Sequence, residues 1–138
     1  MNRFTLALSL LLSSWSLAAN AISLNIATSA VNSSLSDAEV EQAAKEAVAN
    51  SDPNTPNLQR NFFIDVTVYG GGKESAAPYM ITANIVRTMN DKNQELACSA
   101  NAYGSNTKDN LYKAVVKAIQ QLIVHSKEDE CRRYGRNK

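Results

Sequence analysis

One histidine, two cysteines and a scatter of carboxylates are the residues with which this chain could do chemistry. His125 stands alone. A nucleophilic triad would need a serine or cysteine and an orienting acid beside it. Neither a G-x-S-x-G nor an H-E-x-x-H pattern occurs. His125 instead falls near the end of an expected helix, where a cationic side chain suits the negative end of the helix dipole.

Paired carboxylates could support glycoside hydrolysis if two of them flanked one bond. Asp65 is an acid inside an apolar strand, and Glu95 on a later strand is the acid that could join it. Alternation sends Asp65 away from the helices, to the solvated side. Gly70-Gly71-Gly72-Lys73 invites a phosphate-loop reading. That loop needs a Gly-Lys-Ser/Thr step opening a helix, whereas Lys73 leads into Glu74 and a proline-bearing loop. A flexible hairpin tip is expected there. Asn90, Asp91 and Asn93 supply too few oxygens for calcium. No catalytic residue, metal or cofactor is expected.

Cys98 and Cys131 are not a C-x-x-C redox pair, and two ligands do not make a structural zinc site. A structural disulfide between them would close a loop of roughly 34 residues and contribute on the order of 4 kcal/mol in the chain-entropy account. It would tie the C-terminal tail to the sheet. The alternative is a bridge to another molecule.

A disulfide needs an oxidising compartment, and the N-terminus points to one. Arg3 is followed by an uncharged apolar and small-residue run from Phe4 to Leu17, then by Ala19-Asn20-Ala21. That is the pattern of a cleaved secretory signal peptide covering residues 1–21. The run is too short to span a bilayer, and no later segment is long and apolar enough. The expected mature chain, 22–138, is one domain located in a bacterial periplasm or secreted.

Cleavage would remove Arg3 and leave 13 basic against 13 acidic residues, a formal charge of 0. Nucleic-acid binding wants a basic field, so none is expected. Arg132, Arg133, Arg136 and Lys138 make a basic C-terminal tail. Solvated positions suffice to explain it, with contact to an anionic surface as the sharper reading.

The elements that would position these residues follow from periodicity. Ile22 to Thr28 alternates and is a candidate edge strand or extended arm, with Ser29 to Ser34 as linker. Ser36-Asp37-Ala38-Glu39 is a capping box. It opens a helix whose thin stripe is Val40, Ala43, Ala44, Ala47 and Val48. Pro53 and Pro56 mark a loop. Phe62 to Tyr69, Tyr79 to Met89 and Leu96 to Tyr103 read as three strands, with a tight turn at Asn90–Asn93. Leu96, Cys98, Ala100 and Ala102 share one face of the third. Gly104 to Asn106 turns the chain into a second helix capped by Thr107. Its stripe is Leu111, Ala114, Val115, Ala118, Ile119, Leu122 and Ile123.

The expected fold is α+β in two layers: an antiparallel three-stranded sheet, with Ile22–Thr28 as a candidate fourth strand, and two helices on one face in the order α-β-β-β-α. The other face then presents Phe63, Asp65, Tyr69, Met80, Asn84 and Tyr103. Aromatic and Met side chains among small polar ones suit a protein contact. The expected function is a non-enzymatic protein-binding module: an inhibitor, an immunity factor or an envelope assembly adaptor. Its partner would be another envelope or secreted protein. The alternatives are a secreted enzyme or toxin with a site assembled from scattered residues, and an envelope protein touching membrane or wall through its basic tail.

Overall fold

A computed structural model describes residues 25–51, 62–90 and 93–126. The elements are β1 (Asn25–Val31), α1 (Asp37–Ala49), β2 (Phe62–Gly70), β3 (Ala77–Asn90), β4 (Asn93–Asn106) and α2 (Lys108–His125). The fold is α+β. The expected leader, the expected Pro53/Pro56 loop, Asp91-Lys92, Cys131 and the basic C-terminal residues lie outside the described residues.

The strands form one sheet in the order β1-β2-β3-β4. β2, β3 and β4 make the expected antiparallel meander. β1 pairs with β2 in parallel, so the sheet is four-stranded and mixed rather than wholly antiparallel. The reason is connectivity. β1 reaches β2 through α1, and a crossover containing a helix returns the chain in its original direction. β1 also ends later than the alternation of Ile22–Thr28 suggested, while residues 22–24 lie outside the described residues. Ser29, Ala30 and Val31, expected as linker, are paired strand residues.

Both helices cover one face. Rows of inward side chains cross the sheet: Ile26, Ile64, Ile85 and Cys98, then Thr28, Val66, Ala83 and Ala100, then Ala30, Val68, Ile81 and Ala102. α1 packs on β1 and β2, while α2 packs on β4 and β3. One core joins the alanine stripe of α1, isoleucine and valine of β2 and β3, small residues of β4, and Leu111, Val115, Ile119 and Leu122 of α2. Close packing of such side chains is what gives a protein interior its crystal-like density.

The helix boundaries follow from capping. Ser36 accepts from the Glu39 N–H, and Glu39 accepts in turn from the Ser36 N–H at 2.8 Å. Thr107 is the N-cap of α2, though its hydroxyl makes no capping bond. The two helices run in the same direction, each returning antiparallel to the strand before it. Their positive N-terminal ends therefore lie together. Lys108 would be unfavourable at such an end, but its Nζ lies 2.7 Å from Glu39. One carboxylate thus serves both helices. One level along, the Tyr112 hydroxyl donates to Glu46 at 3.0 Å.

The glycine run is not the flexible tip its composition suggested. The Gly71 N–H donates to the Pro78 carbonyl at 2.7 Å, the Gly72 N–H to Asn106 at 2.9 Å, and the Gly70 carbonyl accepts from Ser34 at 3.0 Å. Gly71 has φ +83, and a Cβ there would lie 2.5 Å from Leu111 Cδ2 and 3.0 Å from Ser34 Oγ. The run is a clamp joining the ends of β2 and β4, the start of β3 and the first turn of α2. Open backbone geometry and bare Cα atoms make that closeness possible.

Two outcomes test this arrangement. Gly71→Ala adds a buried clash to a left-handed backbone and should cost about 2–3 kcal/mol. Ser34 Oγ is buried without a partner, so Ser34→Ala should change stability by less than about 0.5 kcal/mol or raise it. Urea unfolding checks both. The Lys108 hydrogen bond, then those from Ser36, hold the Glu39 carboxyl down to about 2 from an ordinary 4.5. A lowered folded value means the stabilisation is complete above about 4.5 and is lost as pH falls through about 2. Glu39→Gln should therefore cost about 1 kcal/mol at neutral pH, a figure kept small by its exposure. The gap to wild type should close in urea titrations taken near pH ~2.

Candidate functional site

Strand alternation forces a second set of rows onto the face opposite the helices. Its four rows run Asn25, Phe63, Val86, Leu96; Ala27, Asp65, Asn84, Ser99; Ser29, Thr67, Thr82, Asn101; and Val31, Tyr69, Met80, Tyr103. All six expected contact residues, Phe63, Asp65, Tyr69, Met80, Asn84 and Tyr103, lie on this face. Ser29 and Val31 share it too, although the small polar composition of Ser29 to Ser34 reads as linker. Their alternation with the inward Thr28 and Ala30 was the available signal.

The rows differ in chemistry. The last is apolar from one edge of the sheet to the other, with Val31 38%, Tyr69 38%, Met80 43% and Tyr103 79% exposed. It lies at the end of the sheet where the glycine clamp holds the strands, since Tyr69 directly precedes Gly70. The two middle rows are polar. Ser99 donates to Asn84 Oδ1 at 2.8 Å, and Asn84 Nδ2 donates to Asp65 Oδ2 at 3.4 Å. This chain fixes the amide between its neighbours and occupies one oxygen of Asp65. Asp65 is half-buried here, serving as the acceptor end of a surface network.

Glu95 does not share that face. Ile85 pairs with Cys98 but Val86 pairs with Leu96, so Ala97 is an extra residue in β4. This bulge reverses the alternation of everything before it. Leu96, expected inward with Cys98, points outward and is 53% exposed. Glu95, expected outward, aligns with Arg87 and Phe62 on the helix-side face. Asp65 and Glu95 are therefore on opposite sides of the sheet and cannot flank one bond. His125 is the exposed last residue of α2, suited to the helix dipole as expected.

Cys98 is buried on the helix side at the β4 end of its row, and there is no free cysteine among the described residues. Among those residues there is also no group of three His, Cys, Asp or Glu side chains able to hold a metal, and no helix long and apolar enough to cross a membrane.

Comparison with family models, curated proteins and solved structures returns no match for this chain. The functional reading therefore rests on the outer face itself.

The bulge makes a direct prediction. Leu96→Ala should cost less than about 1 kcal/mol because the side chain is already in water, while Ile85→Ala should cost about 3 kcal/mol. Chemical denaturation of the two variants separates this register from an unbroken one, in which Leu96 would be a core residue.

Proposed function

We propose that this chain is a small exported, non-enzymatic protein-binding module, an inhibitor, immunity factor or envelope assembly adaptor, that engages its partner through the outer face of the sheet. The observation that carries the reading is the exposed row Val31, Tyr69, Met80 and Tyr103, which crosses all four strands on the face opposite the helices. A contiguous apolar row rimmed by polar side chains is the composition of a contact patch. Tyrosine adds large contact area at low ordering cost, methionine adds an adaptable apolar contact, and the Asp65–Asn84–Ser99 chain offers directional hydrogen bonds beside them.

Two further features support this setting. The N-terminal segment has a secretory composition. Cys98 sits where a bridge to Cys131 would hold the segment after α2 against β4, giving a small core a covalent tie. The enzyme alternative loses its carboxylate pair, because Asp65 and Glu95 lie on opposite faces of the sheet.

The test is partner capture from the native envelope by the tagged protein, compared with Tyr69→Ala/Tyr103→Ala. The double variant should lose at least about tenfold of the captured partner, as expected when two aromatic anchors are removed. Its circular dichroism should stay near wild type, with only a modest loss in melting temperature, because Tyr103 is largely in water and Tyr69, 38% exposed, lies on the face away from the core. Undiminished capture by a folded double variant would remove the outer face from the account.

A further inference from the structure

The sheet has two edges, and they are finished differently. At the β1 edge the Ala30 N–H is already taken by Asp37 Oδ1 at 2.6 Å. Among the described residues, β4 is 14 residues long and has a strand partner, β3, on one side only; at its end Asn106 also accepts from the Gly72 N–H. Natural edges are usually blunted by charge, proline or a bulge. β4 carries its bulge and its one charge, Glu95, before Cys98. From Ala100 to Asn106 it has neither charge nor proline nor irregular pairing. At the centre of that clean stretch stands Tyr103, the most exposed large apolar side chain described.

We infer that β4 pairs antiparallel with β4 of a second copy of this chain, about a two-fold axis at Tyr103. A second copy is the occupant the edge itself argues for. A two-fold pairing needs a strand that does not repel itself, and residues 100–106 bring no charge against charge. With the axis at Tyr103, Ala102 faces Gly104, Asn101 faces Ser105 and Ala100 faces Asn106. Outward residues then meet outward residues, as an even register demands. The two tyrosines become a cross-strand aromatic pair, an arrangement that stabilises antiparallel strands. The apolar row of each copy ends at this edge, where its exposure is greatest. Pairing joins the rows end to end across an eight-stranded sheet. Both backbones gain the hydrogen bonds that an open edge leaves to water. The inference shares side chains with the proposed contact face but does not need a foreign partner, because it is measured on the purified chain alone.

Sedimentation velocity over a concentration series should show a monomer–dimer equilibrium. Tyr103→Lys, which sets two ammonium groups opposite each other at a fully solvated position, should shift it at least about tenfold toward monomer. Ala27→Lys, on the outer face of β1, should leave it unchanged. The register is read by oxidation. Directly opposed residues have Cα atoms about 4.5–5.5 Å apart, within disulfide reach. Tyr103→Cys should therefore form an intermolecular 103–103 link, mapped by peptide mass. Asn101→Cys, offset from its own copy by four residues or roughly 13 Å, should not. A monomer at every concentration would overturn the proposal, as would Asn101→Cys crosslinking as readily as Tyr103→Cys. A dimer that survives Tyr103→Lys would overturn it too. A wild-type chain that dimerises as described but captures no partner from the envelope would count against the proposed function alone.

Discussion

A strand must send alternate side chains to opposite faces, and this protein buries only one of them. Everything else depends on that constraint. The inward rows are mostly isoleucine, valine and alanine, covered by the alanine stripe of α1 on one half of the sheet and the leucine- and isoleucine-rich stripe of α2 on the other. Burying that face provides most of the driving force for folding. It also fixes the register, since a slip of one residue would exchange the two faces. The outer rows then follow with no further choice. Their polar middle needs no cover, while their apolar end row remains in water because nothing in the α1 and α2 layer can reach it.

Much of this was legible in the residues. The capping box at Ser36–Glu39, the stripe of α2 and the alternation of Phe62–Tyr69 are local patterns, and each has a local physical cause. The six outer-face residues could be named because alternation holds wherever a strand is regular. What escaped was nonlocal. A parallel pairing of β1 with β2 depends on where the chain goes after α1, which no period in Ile22–Thr28 reports. The bulge at Ala97 depends on the pairing of β3 with β4, and one extra residue there was enough to exchange Leu96 and Glu95 between faces. The three glycines have the composition of a loose tip. Their role as a clamp exists only because Leu111, Ser34, Pro78 and Asn106 converge on them.

Electrostatics serves the packing at the same end of the molecule. Two helices running in the same direction bring two positive termini together. Glu39 lies between them, accepting from Ser36 and pairing with Lys108. The clamp, the shared carboxylate and the apolar outer row are thus stacked at one end of the sheet. The row is presented on the best-anchored strand ends rather than on loops. A contact surface held in this way meets a partner with little ordering cost.

The central claim is that the outer face, not the helical one, meets a partner. A photo-crosslinking residue placed at Thr82, in the middle of that face, and separately at the exposed Lys113 of α2 tests it most directly in the producing cell. The account predicts one dominant protein adduct from position 82 and none from position 113. Adducts arising from the helical side, or none above background from position 82, would contradict it.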